Sequence, residues 1–78
     1  MNLTLYYSDT CFFCHKVLNF LDQHSIDVPK RNTGIDGQAR SDLLSLGGKT
    51  QVPCLDINGS ALYESDDIID WFKQNNLK

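Results

Sequence analysis

The hydrophobic period of the chain changes at residues 8–10, and this change sets the order of its first two elements. Apolar and more polar side chains alternate up to residue 7, which predicts a short β-strand. The apolar members are Leu3, Leu5 and Tyr7, and their alternating neighbours are Asn2, Thr4 and Tyr6. Beyond residue 12 the apolar positions follow one helical face, at Phe13, Val17, Leu18, Phe20 and Leu21. We expect Asp9 or Thr10 to cap this helix, which should end near residues 23–25.

The middle of the chain repeats a strand and a helix. Residues 26–31 form a weaker strand pattern, and Pro29 favours a sheet edge because proline cannot donate to a β-ladder. Asp36 is a candidate cap for a second helix, whose apolar positions are Ala39, Leu43, Leu44 and Leu46. Gly47 and Gly48 follow, and glycine in a left-handed conformation commonly ends a helix.

The last third of the chain predicts a hairpin followed by a helix. Asn58-Gly59 is a strong hairpin signal and would join strands at residues 52–57 and 60–63. Ser65 is the expected cap of a final helix carrying Ile68, Ile69, Trp71 and Phe72. The predicted order is therefore β-α-β-α-β-β-α, an α/β fold in a single domain of residues 1–78, with a parallel pair first and an antiparallel hairpin later.

The charge pattern excludes several classes of partner. The net charge is −3 and no basic run is present, so we expect binding neither to nucleic acid nor to an anionic membrane surface. No apolar run is long enough to span a bilayer. The first five residues lack the basic and long apolar segments of a signal peptide, so we expect a cytoplasmic protein.

The chain has three cysteines, which is too few for a disulfide framework. Cys11 and Cys14 are separated by two residues at the predicted helix start, which places both sulfurs on its first turn. There the free backbone N–H groups and the helix dipole favour a thiolate, which is the nucleophilic form of cysteine. A second thiol at this spacing can attack a mixed disulfide formed on the first. The pair therefore favours redox chemistry.

Two metal-based alternatives fit the same pair less well. A structural zinc site needs four ligands, and only Cys54, His15 and His24 remain, without a second closely spaced pair. Cys11 to His15 also matches the C-x-x-C-H pattern of haem attachment. The only methionine that could supply a second axial ligand is Met1. Redox chemistry is favoured over both, and no metal site is predicted.

Two further segments are candidates for ligand binding. Val52 precedes Pro53 at a strand entrance, where the residues alone favour the commoner trans bond, and a cis bond would expose the Val52 backbone for pairing with a peptide. The segment 64–67, Glu-Ser-Asp-Asp, opens the last helix. Its residues are explained by capping and by the helix dipole, and the same site suits an amino-acid head group. Cys54 is expected to pack as a small apolar residue.

Taken in order, these motifs make the chain resemble a glutaredoxin over essentially its whole length. The Glu64-Ser65 version of the last motif also resembles the N-terminal domain of glutathione transferases. The resemblance implies a thioredoxin-like (glutaredoxin) fold with a four-stranded mixed sheet and three helices. It also implies glutathione as a co-substrate, with no cofactor bound permanently.

The resemblance assigns roles to particular residues. Cys11 would be the nucleophile that takes glutathione in a mixed disulfide, and Cys14 the resolving thiol. Pro53 would be cis, and the Val52 backbone would pair with the cysteinyl part of glutathione. Arg40 would hold the glycine carboxylate. The full set of implied glutathione contacts is Phe13, Arg40, Gln51, Val52, Pro53, Ser65 and Asp66.

The chain departs from the family pattern around the nucleophile. Phe12 and Phe13 replace the usual Pro-Tyr between the cysteines, and Ser8 stands where many members carry lysine. Asp9 adds a negative charge two residues before Cys11, and a nearby carboxylate disfavours a thiolate. Thiolate stabilisation at Cys11 would then depend mainly on the helix terminus.

The sequence thus predicts a glutathione-dependent thiol–disulfide oxidoreductase acting as a monomer on protein disulfides or glutathionylated proteins. Three alternatives stay open. The chain could be a glutathione-binding module without turnover, or a thioredoxin-like reductant that delivers electrons to one partner enzyme. It could also bind an iron–sulfur cluster between two monomers, using Cys11 and glutathione.

Overall fold

The computed structural model describes residues 2–75. Four strands and three helices follow the predicted order: β1 (Leu3–Tyr7), α1 (Phe12–Gln23), β2 (Lys30–Asn32), α2 (Gly37–Gly47), β3 (Cys54–Ile57), β4 (Ser60–Tyr63) and α3 (Ser65–Asn75). The predicted domain of residues 1–78 includes Met1, the candidate axial ligand, and residues 76–78, all of which lie outside the described residues.

The four strands form one mixed sheet in the order β2-β1-β3-β4. β1 pairs with β2 in parallel, with Leu5 opposite Lys30. β3 pairs antiparallel with both β1 and β4, with Leu5 opposite Leu55 and Cys54 opposite Tyr63. The predicted parallel pair and antiparallel hairpin are both confirmed, although β3 begins at Cys54 and not at residue 52, and β1 lies between β2 and β3.

Helices cover both faces of this sheet. One core lies between the sheet and the α1–α3 pair, and its buried members are Leu5, Val17, Leu21, Val28, Leu55, Ile68, Ile69 and Phe72. A smaller core lies under α2 and contains Tyr6, Ala39, Leu43 and Cys54. Because neighbouring strand residues point to opposite faces, Leu5 and Tyr6 belong to different cores.

Tyr6 is one place where the alternation in β1 was misleading. Its pattern put Tyr6 with the polar neighbours Asn2 and Thr4, yet Tyr6 is 5% exposed and Leu5 is fully buried. The reason is that α2 covers the second face, and a strand buried on both faces need not alternate.

The second strand is shorter than predicted. The pattern indicated residues 26–31, whereas β2 comprises Lys30–Asn32 and lies at the sheet edge that Pro29 indicated. The carbonyl of Pro29 still accepts a hydrogen bond from the Leu5 N–H at 2.9 Å. Val28 is buried in the larger core although it lies before the strand.

The predicted Asp36 cap, the glycine end of α2 and the Asn58-Gly59 turn are confirmed. Asp36 Oδ1 accepts hydrogen bonds from the backbone N–H groups of Gln38 and Ala39, at 3.0 and 3.3 Å. Gly48 ends α2 with φ of 81°, a left-handed conformation that glycine adopts at little cost. Asn58 and Gly59 have φ of 53° and 92°, the pattern of a two-residue type I′ hairpin turn. Among residues 2–75 no helix is both long and apolar enough to cross a membrane.

Candidate functional site

Cys11 itself caps α1, in place of the expected Asp9 or Thr10. Its backbone is extended, with φ of −93° and ψ of 114°, and its Sγ accepts the backbone N–H of Cys14 at 3.1 Å. The Cys11 thiol also lies 3.7 Å from the carbonyl oxygen of Val52, to which it can donate. Cys11 is partly exposed. A partly exposed sulfur at a helix N-terminus is placed to react as a thiolate.

Cys14 lies on the same turn in a different environment. It is fully buried, and burial raises its pKa from an ordinary 9.0 to about 12, with its hydrogen bond to Cys11 acting in the same direction. At neutral pH it is therefore a neutral thiol. Cys11, Cys14 and Cys54 are all in the free thiol form.

The two phenylalanines between the cysteines face outward. Phe12 is 77% exposed and Phe13 is 57% exposed, and their rings meet edge to face with centroids 5.5 Å apart. Both are held beside Cys11 because they form the first turn of α1. They place an aromatic surface next to the sulfur.

Asp9 is fixed in the turn that leads into Cys11. Its carboxylate accepts a hydrogen bond from the Asn32 side-chain amide at 2.9 Å, and its backbone carbonyl lies 2.7 Å from His15 Nε2. The backbone N–H of Cys11 closes the turn by donating to the Ser8 carbonyl at 3.3 Å. Within residues 2–75, no three His, Cys, Asp or Glu side chains converge as a metal site would require.

A cleft of about 310 Å³ opens between the start of α1, the segment before β3 and the start of α3. The Val52-Pro53 peptide bond at its base is cis, as the resemblance implied. Six of the nine predicted site residues line the cleft, together with Glu64 and Asp67: Phe13, Gln51, Val52, Pro53, Ser65 and Asp66. Gln51 donates to the Glu64 carboxylate at 2.8 Å across its rim. The ordered motifs therefore do converge in space.

Ser65 is the first residue of α3 and not its cap. Glu64 precedes it with φ of 73°, and the Glu64 carbonyl accepts the first helical hydrogen bond, from the Ile68 N–H at 3.0 Å. Ser65 is 8% exposed and lines the cleft. Asp66 and Asp67 occupy the first turn of the helix. The cleft thus meets a helix N-terminus that carries two acidic side chains.

Lys16 is a residue of this region that the sequence did not single out. Its ammonium pairs with the Asp66 carboxylate, which links α1 to α3 beside the cleft. Both side chains are well exposed, at 46% and 77%. The contact joins residues fifty positions apart, so no local motif could indicate it. Glu64 and Asp67 belong to the recognised segment 64–67, but the predicted glutathione contacts did not include them.

Arg40 lies apart from the cleft. It is an exposed residue of α2 and is absent from the cleft lining. A different basic residue, Arg31 of β2, contacts α2. Arg31 pairs with Asp42 at 2.6 Å and lies over the Tyr6 ring.

Cys54 follows Pro53 directly but is turned away into the core under α2. It is fully buried, and burial raises its pKa from 9.0 to about 11. The expected packing role of Cys54 agrees with this position.

Comparison with solved structures shows the fold class of the chain. The thioredoxin-like protein BC3987 superposes with a TM-score of 0.78 at 22% identity, covering 94% of this chain and 97% of that chain. The holo form of glutaredoxin C1 from Populus tremula x tremuloides superposes with a TM-score of 0.67 at 22% identity, covering 94% and 75%. The predicted thioredoxin-like fold is therefore confirmed.

The family follows from the sequence match. The family model described as glutathione S-transferase, N-terminal domain, matches residues 5–76, and the chain belongs to this family. A delta-class glutathione transferase from Nilaparvata lugens is similar, with a TM-score of 0.78, 26% identity and coverage of 97% and 37%. The chain spans about a third of the length of the glutathione transferases it matches, 34–37%. The comparison with curated proteins found no match.

Proposed function

We propose that the protein is a glutathione-dependent thiol–disulfide oxidoreductase with Cys11 as its nucleophile. The observation that carries this proposal is the position of the Cys11 sulfur, which caps α1, accepts the Cys14 N–H at 3.1 Å and lies beside Val52 at the cleft. A module that only binds glutathione has no need of a partly exposed sulfur at a helix N-terminus with a second thiol one turn away.

The proposed reaction consists of two thiol–disulfide exchanges. The Cys11 thiolate attacks the glutathionyl sulfur of a mixed disulfide, so that a Cys11–glutathione disulfide forms and the substrate leaves as a thiolate. A second glutathione thiolate then attacks the glutathionyl sulfur on Cys11. This step releases glutathione disulfide and restores the Cys11 thiolate. Glutathione is the reductant, and the substrate thiolate takes up a proton from water.

The cleft offers binding groups for each part of glutathione. No hydrogen bond to another described residue uses the Val52 backbone N–H, which leaves it available to pair with the cysteinyl backbone. Ser65 and the free N–H groups at the start of α3 suit the γ-glutamyl carboxylate, because helix N-termini bind anions. Phe13 would line the sulfur and Gln51 the rim. Arg40 is assigned to the glycine carboxylate, beyond the cleft itself.

In this scheme the Asp66 carboxylate exchanges one cationic partner for another. Its carboxylate is paired with Lys16, and an incoming γ-glutamyl ammonium would take the place of that lysine. The exchange costs little, because exposed ion pairs are worth about 0–1 kcal/mol.

The test is a glutathione-coupled disulfide reduction assay on the wild type, Cys11→Ser and a matched Cys54→Ala control. We expect turnover to fall to the uncatalysed background in Cys11→Ser, because the nucleophile is lost, and to persist in Cys54→Ala. Equal turnover in the wild type and Cys11→Ser would contradict the proposal.

Cys14→Ser separates the two routes by which the adduct is released. The Cys14 sulfur is fully buried and its pKa of about 12 leaves little thiolate at neutral pH. We therefore propose that a second glutathione, rather than Cys14, resolves most of the Cys11 adduct. Deglutathionylation should be retained in Cys14→Ser, and its loss would establish the dithiol route.

A further inference from the structure

The negative charge of the chain is concentrated around Cys11. We define the Cys11 face as the cleft together with Asp9, Cys11, Phe12 and Lys16. It carries four carboxylates, from Asp9, Glu64, Asp66 and Asp67, and one cation, Lys16. The other residues among 2–75 include six acidic and five basic side chains, which nearly cancel. Within residues 2–75 the face therefore carries a net charge of −3, against −1 for all the other described residues together.

Only one of these four carboxylates is neutralised by a cation within residues 2–75. Lys16 pairs with Asp66. The Asp9 and Glu64 carboxylates accept hydrogen bonds from the neutral amides of Asn32 and Gln51, which satisfy the oxygens without removing the charge. Asp67 forms neither an ion pair nor a side-chain hydrogen bond with another described residue.

Two other features of the face point to a ligand. Ser65 is 8% exposed and lines the cleft, and its hydroxyl oxygen keeps some contact with solvent and forms no hydrogen bond within the described part of the chain. Such a hydroxyl, accessible at the cleft wall and without a protein partner, is available to a ligand. Phe12 leaves an aromatic ring 77% exposed beside the sulfur, and lysine and arginine cations bind favourably over such rings.

We propose that the substrate of the Cys11 face is a glutathionylated cysteine flanked by lysine or arginine residues in a protein segment. This inference rests on the proposed function and names its substrate class. Glutathione has two carboxylates and one ammonium, so alone it brings a further negative charge to an already negative surface. A basic segment on the other side of the disulfide supplies the missing positive charge, and complementary charges raise the rate of encounter.

The chemistry is unchanged by this choice of substrate. Cys11 takes the glutathionyl group, the S–S bond of the mixed disulfide breaks, and the basic segment leaves with its thiolate. Its flanking cations stabilise that leaving thiolate, since a nearby positive charge favours the ionised form. Glutathione then removes the group from Cys11 as glutathione disulfide.

The test compares two glutathionylated peptides of equal length, one with Lys and Arg around the cysteine and one with Asp and Glu. At an ionic strength of about 0.1 M we expect kcat/KM to be at least about tenfold higher for the basic peptide. At about 1 M the ratio should approach one, because the screening length falls to about 3 Å. An equal or reversed preference at low salt would overturn the proposal. Reduction of neither peptide would instead refute the proposed function.

Variants show whether the named carboxylates cause the preference. Asp9→Asn and Asp67→Asn each remove one charge, and each should lower the peptide ratio about two- to threefold, because a charge about 10 Å away acts with opposite sign on the two peptides and is partly screened at this ionic strength. Asp22→Asn is the matched control, because Asp22 is exposed near the far end of α1, roughly 16 Å from Cys11 along the helix. A ratio unchanged in both Asp9→Asn and Asp67→Asn would overturn the proposal.

Discussion

At the scale of single residues, Cys11 combines two roles that usually belong to different side chains. Asp, Asn, Ser and Thr are the usual helix caps, whereas here a cysteine sulfur accepts the N–H of the third residue on, Cys14. The sulfur that caps the helix is thus also the one that we propose as the nucleophile. Cys14 lies on the same turn but is buried, whereas Cys11 is partly exposed, so the two sulfurs differ in their access to a ligand.

The Tyr63 side chain of β4 packs against Gly47, a residue without a side chain of its own. A Cβ on Gly47 would lie 1.8 Å from the Tyr63 hydroxyl oxygen, so the phenol rests directly on the Gly47 backbone. The hydroxyl donates to the Lys49 carbonyl at 3.3 Å, and the Lys49 ammonium lies over the ring at 4.4 Å. Glycine is needed here for space.

Gly47→Ala should therefore destabilise the protein. The added methyl group forces the Tyr63 ring to move, and overpacking of this kind costs about 1–3 kcal/mol in the free energy of unfolding, measured by urea denaturation. Gly37→Ala is the control, because nothing lies within 4 Å of the position that its methyl group would take, and it should be nearly neutral. Tyr63→Phe should recover part of the loss in the Gly47→Ala background, since it removes the closest atom. Equal effects of the two glycine variants would contradict this account.

At the scale of elements, the α1–α3 contact holds the two walls of the cleft together. It has an exposed part, the Lys16–Asp66 ion pair, and a buried part that includes the fully buried Val17 and Ile68. Exposed pairs contribute little, whereas removing buried methyl groups leaves a cavity. The buried part should therefore dominate.

Substitutions in the two parts of this contact should differ in size. Ile68→Ala should lower the free energy of unfolding by about 2–5 kcal/mol, and Ile68→Val by about 0.5–1.5 kcal/mol. Lys16→Gln should cost at most about 1 kcal/mol. Denaturant unfolding measures all three, and Ile68→Val keeps the comparison measurable if Ile68→Ala does not fold. A larger cost for Lys16→Gln than for Ile68→Val would show that the ion pair, not the core, holds the helices.

How far the sequence predicts each element depends on how local its determinants are. Asp36, Gly48 and the Asn58-Gly59 turn act within a few residues, and their predictions are confirmed. The predicted caps of α1 (Asp9 or Thr10) and α3 (Ser65) were wrong, because Cys11 caps α1 and Ser65 is the first residue of α3 itself. Asp9 instead accepts a hydrogen bond from Asn32, a contact between segments that no local pattern specifies.

At the scale of the whole molecule, local sequence patterns predict one part of the site, and contacts between distant segments determine the rest. Six cleft residues were found because three ordered motifs match a known arrangement. The part played by Lys16 depends on how α1 packs against α3, and the burial of Tyr6 depends on α2 covering the second sheet face. Both are consequences of tertiary packing, so they appear only in the structure.

The stability of the whole molecule should fall in alkaline solution because of its buried thiols. Burial raises the pKa of Cys14 to about 12 and that of Cys54 to about 11, against 9.0 for an ordinary thiol. Between pH 9 and these values the unfolded chain loses protons that the folded chain keeps. The free energy of unfolding should therefore be insensitive to these thiols below about pH 8 and decrease above pH 9, by up to about 1.4 kcal/mol per pH unit for each thiol.

Cys14→Ala isolates the contribution of one thiol to this pH dependence. Between pH 8 and pH 10, under reducing conditions, the wild type should lose about 1.4 kcal/mol more stability than the variant. Urea unfolding at the two pH values gives this difference directly. Identical losses in the two proteins would show that Cys14 ionises in the folded state as an ordinary thiol does.

The central claim, that glutathione reacts at Cys11, is tested most directly by locating the adduct. Cys14→Ser incubated with glutathione disulfide, with no reduced glutathione added, should trap one glutathione per chain, because the variant removes even a minor displacement by Cys14 and the reductant proposed to resolve the adduct is absent. Intact-mass spectrometry followed by peptide mapping should place this glutathione on Cys11 and leave the buried Cys54 unmodified. An adduct on Cys54, or no adduct at all, would contradict the claim.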